Sequence, residues 1–376
     1  MKVLILGAAG KAASAVISSL CFQPRLERIY LADHNAEALC KQSADLAHLP
    51  VSVRYLEAED EGSLVSRMEE ADLVLGCLGP FNLHEGRIVR AAMAAGRDYI
   101  SLCDDPGSLR EVMAMGSEAA RRGIRVLCGC GLTPGLSDLL ARRASSRLDR
   151  VDSVRFAWFL ELGPYLGAAT LEHLLHSFAG KAPGRRGGSP SGSRAGSWEE
   201  LVAFPSPVGT RMVTHLSHPE PIALTGAAAA ADEIWFKAGV GNRASGLLLH
   251  SLARMAWGER TEIWKAAVSA AATAVARRGG GSCPTALRIT CSGTRHGAPE
   301  SRTLCVVGDY YRISGLVMAA AVDTLMVNAW EPGVYKPGDV LDHPAFFSWM
   351  HRAGLRIMVG EEIKQAGAGD IRMRAG

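Results

Sequence analysis

The sequence predicts an α/β protein with two parts. The first is a doubly wound parallel sheet, and the second is an α+β domain with a mixed sheet. Three observations carry this prediction. Short apolar runs alternate with helical patterns as far as Cys130, and the alternation stops there. A turn of small residues containing two glycines directly follows the first apolar run, which begins at the amino terminus.

Six short, largely apolar runs are the predicted strands of the first sheet, since a strand buried on both faces needs no polar alternation. These runs are Lys2–Leu6, Arg28–Ala32, Val51–Glu57, Leu73–Cys77, Asp98–Leu102 and Arg125–Gly129. Helical patterns fill the intervals, at Lys11–Leu20, Ala36–Ala47, Glu61–Glu70, Leu83–Ala95 and Pro106–Arg122. Strands separated by helices form right-handed βαβ units, so the sheet should be parallel.

Beyond Cys130 the predicted strands are no longer regularly separated by helices, which favours a mixed or antiparallel sheet. The strands are Val151–Leu162, Thr210–Leu216, Glu233–Ala238, Thr285–Ser292 and Arg302–Val307. The helices are Gly135–Leu148, Ala168–Ala179, Ala244–Ala256, Thr261–Arg277 and Ile313–Ala329. We therefore predict domains at residues 1–132 and 133–330, and a last segment, 331–376, that packs back near the first domain.

A segment rich in Gly, Ser, Pro and Arg, residues 180–193, has no apolar face to bury. Such a composition predicts a mobile surface loop. The alternative is a lid whose arginines meet an anionic substrate.

The overall composition excludes several classes of protein. The net charge is only +3, and no dense basic block with interleaved aromatics occurs, so nucleic acid is not an expected partner. No apolar run is long enough to span a membrane, and the amino terminus lacks the basic region of a signal peptide. The nine cysteines include no C-x-x-C pair, which predicts a reducing, cytoplasmic location and no metal centre.

The glycine turn predicts a dinucleotide site of the Rossmann type. In such a site the pyrophosphate lies at the amino terminus of the helix that follows the first strand. The residues expected around it are Gly7, Ala9, Gly10, Lys11 and Ala12, with alanines at two positions where the usual fingerprint has glycine. The alternative interpretation is an ordinary strand-to-helix turn.

Asp33 ends the second predicted strand, where a carboxylate accepts hydrogen bonds from the ribose hydroxyls of NAD. His34 and Asn35 follow it, and there is no arginine at this point to bind a 2′-phosphate. The sequence therefore favours NAD as the cofactor, with NADP as the second choice.

Ligands of an open parallel sheet bind beyond the carboxyl ends of its strands, and three of these ends carry distinctive residues. The fourth strand leads into Gly79, Pro80 and Phe81, the fifth into Cys103, Asp104 and Asp105, and the sixth into Gly131, Thr133 and Pro134. We expect Asp105 and Thr133 to cap the helices that follow, which leaves Asp104 to face the ligand. Plain structural turns are the alternative.

The chain resembles the saccharopine dehydrogenase-like oxidoreductases. The resemblance is carried by residues 7–12, 31–33, 79–81, 99–104 and 131–136, and in the later part by residues 167–170, Trp198, 219–221, 331–334 and 342–347. It implies NAD(P)-dependent oxidation or reduction at a carbon–nitrogen bond of an amino-acid-like substrate or a polyamine precursor. It also implies a homodimer.

Such chemistry needs a carboxylate beside a cationic iminium, and Asp104 is the first candidate for this role, before Glu161 or Glu172. His173 and His176 lie three residues apart on one predicted helix, and we take His173 as a candidate acid–base group. The alternatives for these histidines are metal ligation and a polar helix face. The substrate carboxylate needs a cation, for which Arg211, Lys237 and Arg243 are candidates.

Two other functions remain open from the sequence. Bound NAD could act as an internal redox relay in an aminoalkyl transferase of the homospermidine synthase type. The chain could also be a non-catalytic NAD-binding protein.

Overall fold

The computed structural model describes residues 1–20, 25–46, 49–255, 266, 282–328, 330–342 and 344–360. Internal contacts divide the chain into two units. The first comprises Met1–Leu136 and Tyr311–Ala353, and the second comprises Ser137–Tyr310 and the described residues after Ala353. The first unit therefore contains residues from two separate parts of the chain. The chain passes from one unit to the other after Leu136, after Tyr310 and after Ala353, whereas the sequence predicts domain boundaries after residues 132 and 330. Apart from residue 266, the predicted helix Thr261–Arg277 lies outside the described residues.

In chain order, the strands of the described residues are β1 (Lys2–Leu6), β2 (Arg28–Asp33), β3 (Val51–Tyr55), β4 (Leu73–Gly76), β5 (Asp98–Ser101), β6 (Arg125–Leu127), β7 (Arg150–Leu160), β8 (Lys181–Arg186), β9 (Ser189–Arg194), β10 (Glu200–Ala203), β11 (Thr210–His215), β12 (Glu233–Val240), β13 (Pro284–Arg295), β14 (Ala298–Asp309), β15 (Gly333–Tyr335) and β16 (Ile357–Val359).

The helices of the same residues are α1 (Lys11–Leu20), α2 (Ala36–Asp45), α3 (Glu61–Glu69), α4 (Phe81–Ala95), α5 (Pro106–Ala114), α6 (Gly116–Arg121), α7 (Leu136–Ser145), α8 (Ala168–Phe178), α9 (Glu220–Ala223), α10 (Arg243–Met255), α11 (Tyr310–Val327), α12 (Pro337–Val340) and α13 (Pro344–Arg352). None of them is long and apolar enough to cross a membrane, a finding that covers only this described part of the chain.

The first unit is built on a seven-stranded parallel sheet in the order β15-β6-β5-β4-β1-β2-β3. Central strands such as β1 and β4 are almost wholly buried, which explains why their sequences are apolar without alternation. The order of the strands reverses between β1 and β4, and this is the point where such sheets bind ligands. The predicted doubly wound sheet is confirmed, with β15 as an additional edge strand.

Polar side chains fix where several helices of the first unit begin. Asn35 accepts a hydrogen bond from the amide of Ala38 at 3.0 Å, and Asp105 accepts one from Ser108 at 2.7 Å. The capping role predicted for Asp105 is therefore confirmed. The single helix predicted over Pro106–Arg122 is two helices, because the helical pattern is interrupted at Met115.

The second unit contains a mixed nine-stranded sheet. Seven of its strands follow the order β10-β11-β12-β7-β13-β14-β16, and β8 and β9 extend it beside β12. Strands β7 and β12 are parallel, and the other neighbours are antiparallel. This confirms the predicted mixed sheet.

The loop or lid predicted at residues 180–193 is wrong, because these residues form the hairpin of β8 and β9. The turn consists of Gly187 and Gly188, with φ angles of +56° and +73°. Two successive positive φ angles are typical of the tight turn whose twist matches a two-stranded hairpin. The arginines are bound in place: Arg185 donates to the carbonyl of Ala229, and the Arg186 guanidinium lies 5.2 Å from the ring centre of Trp198.

Candidate cofactor site and acid–base groups

The turn between β1 and α1 brings two backbone segments into close approach. Gly7 has a φ angle of +71°, and a Cβ atom there would lie 2.7 Å from the Cα atom of Leu78. The amide of Ala8 donates to Ala32 and the amide of Gly10 donates to Gly7, both at 3.0 Å. Glycine is therefore required at position 7, both for its conformation and for space. The turn presents the first N–H groups of α1, which lack partners within the helix, to a ligand beyond β1.

Asp33 lies at this turn and is only 7% exposed. Its carboxylate accepts hydrogen bonds from the amides of Ala9 at 3.1 Å and Asn35 at 3.0 Å. The imidazole of His34, whose side chain is largely exposed, lies 3.2 Å away. An acidic group held beside the glycine turn has the chemistry required to bind ribose hydroxyls. The geometry of Gly7 and Asp33 therefore fits a dinucleotide.

The carboxyl ends of β4, β5 and β6 lie side by side in the same sheet. The amide of Cys77 donates to Leu6, that of Leu102 to Gly76 and that of Cys130 to Ser101, at 2.8 to 3.1 Å. The remaining predicted cofactor residues lie just beyond these ends: Gly79, Pro80, Cys103 and Gly131 in the turns, and Phe81 as the first residue of α4. The first unit thus brings them to the same sheet edge as the glycine turn.

The cap predicted for Thr133 is wrong. Helix α7 begins at Leu136, and the buried hydroxyl of Thr133 forms no hydrogen bond with any residue that the structure describes. The turn is instead closed by backbone bonds. The amide of Gly131 donates to Pro134 and the amide of Leu136 donates to Gly131, both at 3.0 Å.

A fully buried carboxyl group, which sequence reasoning missed, lies behind these turns. Glu85 on α4 accepts hydrogen bonds from Ser101 at 2.6 Å and from Tyr99 at 3.0 Å, and the thiol of Cys128 lies 3.6 Å away. Burial raises the pKa of Glu85 to about 7, hydrogen bonds from these three side chains oppose the rise, and the nearby Asp104 carboxylate adds to it. A signal existed in the sequence: Glu85 shares a helix face with the buried residues Ile88, Val89 and Ala92.

The second unit contains a buried carboxylate–imidazole pair. His218 and Glu220 are each about 1% exposed, and the Nδ1 atom of His218 is hydrogen-bonded to a carboxylate oxygen of Glu220. Ser137 donates to the other carboxylate oxygen at 3.1 Å. The imidazole stacks on the ring of Phe236 at 4.3 Å. Such a carboxylate fixes the orientation and the tautomer of the histidine, which leaves Nε2 for proton transfer.

His173, the acid–base group proposed from the sequence, lies beside this pair. Its ring centre is 6.3 Å from that of His218, and its Nε2 atom is 3.1 Å from the hydroxyl of Ser177. Sequence reasoning missed His218 and its pairing with Glu220, since His218 lies outside the helices and Glu220 begins a helix of only four residues, α9. Asp104, the other proposed catalytic residue, belongs to the first unit.

The three cations proposed to bind the substrate carboxylate, Arg211, Lys237 and Arg243, have different surroundings. Lys237 forms an ion pair with Glu200 at 2.6 Å. Arg211 packs its guanidinium 4.9 Å from the ring centre of Phe159 and lines a cavity of about 480 Å³, together with Glu161, Phe178 and His250. Arg243 is the first residue of α10, and its side chain lies outside the described part of the structure. Arg211 is thus the candidate that lines a cavity within the second unit.

Comparison with known proteins agrees with this geometry. Residues 3–126 match the family model of the saccharopine dehydrogenase NADP binding domain. The structure of apo histidine-tagged saccharopine dehydrogenase (L-Glu forming) from Saccharomyces cerevisiae aligns with a TM-score of 0.68. The alignment covers 96% of this chain and 99% of that one at 13% identity, and shows that the fold is shared.

A lipid droplet localized protein from Caenorhabditis elegans is 25% identical over 157 residues. The match covers 39% of this chain and 35% of that relative, so the chain spans only about a third of its length. The order of the strands in the sheet, the glycine turn and the family model all indicate that the first unit is a dinucleotide-binding domain. Residues 3–126 thus resemble a saccharopine dehydrogenase NADP binding domain, which supports NAD(P) as the cofactor, and the chain shares its fold with a saccharopine dehydrogenase.

Proposed function

We propose that this chain is an NAD(P)-dependent oxidoreductase that acts on a carbon–nitrogen bond of an amino-acid-like substrate or a polyamine precursor. The observation that carries the proposal is the buried Asp33 carboxylate beside the glycine turn, in a domain that matches the family's cofactor domain. The likeness to a saccharopine dehydrogenase supports the same class of substrate.

In this reaction, a hydride leaves the carbon that bears the nitrogen, and the carbon–nitrogen bond becomes an iminium. Bound NAD(P) supplies the hydride acceptor, or the hydride donor in the reverse direction. Water then adds to the iminium carbon, and the carbon–nitrogen bond breaks to give a carbonyl compound and a free amine. Proton transfers accompany the loss of the hydride and the addition of water, so the enzyme needs an acid–base group.

We assign the acid–base role to His218, with Glu220 as its positioning residue and His173 as a neighbouring polar group. The Glu220 carboxylate stabilises the imidazolium that forms when His218 accepts a proton. We keep Asp104 as the carboxylate that stabilises the cationic iminium, and Arg211 as the first candidate for the substrate carboxylate. Homodimerisation and a cytoplasmic location remain predictions, and the first of them is checked by light scattering.

The proposal is tested by incubating the protein with NAD or NADP and a panel of amino acids, secondary amines and polyamine precursors. The absorbance of the reduced nicotinamide should rise with at least one of them. Replacing His218 by Asn should lower kcat by about 100-fold or more, because general acid–base catalysis contributes on this order. Replacing His351, on α13 of the first unit, serves as a control for loss of a histidine. Cofactor binding without turnover of any member of the panel would contradict the proposal.

A further inference from the structure

We propose that Glu85 is a redox-linked proton acceptor that couples the protonation of the first unit to the oxidation state of the bound nicotinamide. The inference rests on the NAD(P) dependence of the proposed function. Glu85 would remain protonated beside the neutral, reduced ring. It would release its proton to solvent when the positively charged, oxidised ring is bound, so the protein would discriminate between the two forms in a pH-dependent way.

Glu85 lies behind the strand ends over which the nicotinamide is expected. A Rossmann sheet consists of two mononucleotide-binding halves that meet where the strand order reverses. Asp33 lies at the end of β2 in one half, and the other half consists of β4, β5 and β6. The nicotinamide half of the cofactor is therefore expected over the carboxyl ends of these three strands. Glu85 contacts Ser101 at the end of β5 and Cys128 just beyond β6.

The ionisable side chains around the Glu85 carboxyl group come from three strands and the turns that follow them. They are Cys77 after β4, Tyr99 on β5, Cys103 and Asp104 after β5, and Cys128 after β6. Burial raises the pKa of Cys77 to about 12 and raises the pKa values of Tyr99, Cys103 and Cys128 well above their usual ranges. These four groups therefore remain neutral, and none of them supplies a cation to compensate an ionised Glu85.

The three basic side chains of α4 lie beside carboxylates other than Glu85. Arg90 on α4 is bound to Glu111 on α5 at 2.8 Å. His84 and Arg87, also on α4, lie 3.8 and 3.5 Å from Glu59. An added positive charge over the strand ends would thus supply Glu85 with a counterion that the groups described around it do not provide. Coulomb attraction across a partly buried region decays slowly enough to act without direct contact.

The sign of the effect follows from the two charge states of the nicotinamide ring. The pKa of Glu85, about 7, places the carboxyl group between its two states at neutral pH. A nearby cation lowers the pKa of a carboxyl group. Binding of the oxidised cofactor therefore releases a fraction of a proton, and its affinity rises with pH. The phosphates are common to both forms of the cofactor. The difference in proton release between the two forms therefore reports the charge of the nicotinamide ring.

The test is calorimetric titration of the full chain with oxidised and with reduced cofactor, in buffers of different ionisation enthalpy. The wild type should release a few tenths of a proton at neutral pH with the oxidised form, and fewer with the reduced form. The ratio of Kd for the oxidised form to Kd for the reduced form should fall severalfold from about pH 6 to about pH 8. The variant Glu85→Gln should show neither effect.

The matched control is His84→Gln, which removes the neighbouring ionisable group on the same helix and should behave as the wild type. Equal proton release with the two cofactor forms in the wild type would overturn the proposal, whether or not the Glu85 variant folds. Loss of the difference in His84→Gln would overturn it as well. Binding of both forms without differential proton release leaves the proposed function intact. A differential release without turnover of any substrate supports the proton acceptor and contradicts the proposed function.

Discussion

At the scale of single residues, Gly7 and Gly123 form a matched pair. Their φ angles are +71° and +72°, but a Cβ atom would meet the backbone of Leu78 at position 7 and nothing within 4 Å at position 123. Gly123→Ala should lower the free energy of unfolding by about 1 to 2 kcal/mol, the cost of a left-handed alanine. Gly7→Ala should lower it further and weaken cofactor binding, as measured by denaturant titration and by cofactor fluorescence. Equal losses in the two variants would contradict the close approach.

Asp33 provides a second residue-scale prediction. Asp33→Ala removes the acceptor beside the glycine turn and should weaken NAD binding severalfold. It should also reduce discrimination against NADP, because no carboxylate then opposes the 2′-phosphate. Binding titrations with both cofactors check this, and His34→Ala is the control, since its largely exposed side chain only flanks the carboxylate. Unchanged titration curves for Asp33→Ala would contradict the assignment.

Glu85 should also affect stability in a pH-dependent manner. Its pKa is about 7 in the folded protein and 4.5 without the fold, so the folded state binds more protons between these values. The free energy of unfolding should therefore fall as the pH rises through this interval, by on the order of 3 kcal/mol. In Glu85→Gln, the side chain at this position does not ionise, so this pH-dependent contribution to the free energy of unfolding should be absent.

The stability difference between Glu85→Gln and the wild type, measured by urea unfolding, should shift in favour of the variant as the pH rises. The control is Glu111→Gln on α5, whose partly exposed carboxylate pairs with Arg90. A difference that does not change with pH would show that Glu85 remains charged or neutral throughout.

Single residues show what a sequence can reveal about a site. Gly7 and Asp33 were predicted because a strand–turn–helix unit is local, and its residues have fixed spacing. The pairs of Glu85 with Ser101 and of Ser137 with Glu220 join residues far apart in the chain. No local pattern specifies such partners, since tertiary packing alone brings them together.

At the scale of elements, the hairpin of β8 and β9 differs most from the sequence prediction. Its composition suggests a loop, but the glycine pair supplies a hairpin turn and β8 is hydrogen-bonded beside β12. Strands β1 to β6 were predicted because each is separated from the next by a helix. The edge strand β15 was not predicted, because its pairing with β6 depends on a distant part of the chain.

The hairpin makes a direct prediction for hydrogen exchange. Amides that donate across the β8–β9 ladder should exchange markedly more slowly than those of an unstructured peptide with the same sequence. Exchange followed by mass spectrometry on peptides from Lys181–Arg194 measures this. Exchange of all these amides at the rate of a free peptide would contradict the strand pairing.

At the scale of the whole molecule, the chain forms two compact units, and residues 3–126 of the first unit match the family model of a cofactor-binding domain. The fold and the cofactor class could therefore be predicted from the sequence. The substrate could not, because this match does not extend to the second unit. A cofactor that binds only the folded state should stabilise the chain. At 100 times Kd the gain is about 2.7 kcal/mol, which should raise Tm by several degrees. Thermal unfolding with and without NAD or NADP measures the gain, and Asp33→Ala should need more cofactor for the same shift.

The most direct test of the central claim is transfer of deuterium from reduced cofactor labelled at the reactive carbon of the nicotinamide. The protein would be incubated with this cofactor, a 2-oxo acid or an aldehyde, and an amine donor, and the product amine analysed by mass spectrometry. We predict one deuterium on the carbon that bears the nitrogen. Oxidation of the labelled cofactor with deuterium in no amine product, or on a carbinol carbon instead, would contradict a carbon–nitrogen oxidoreductase.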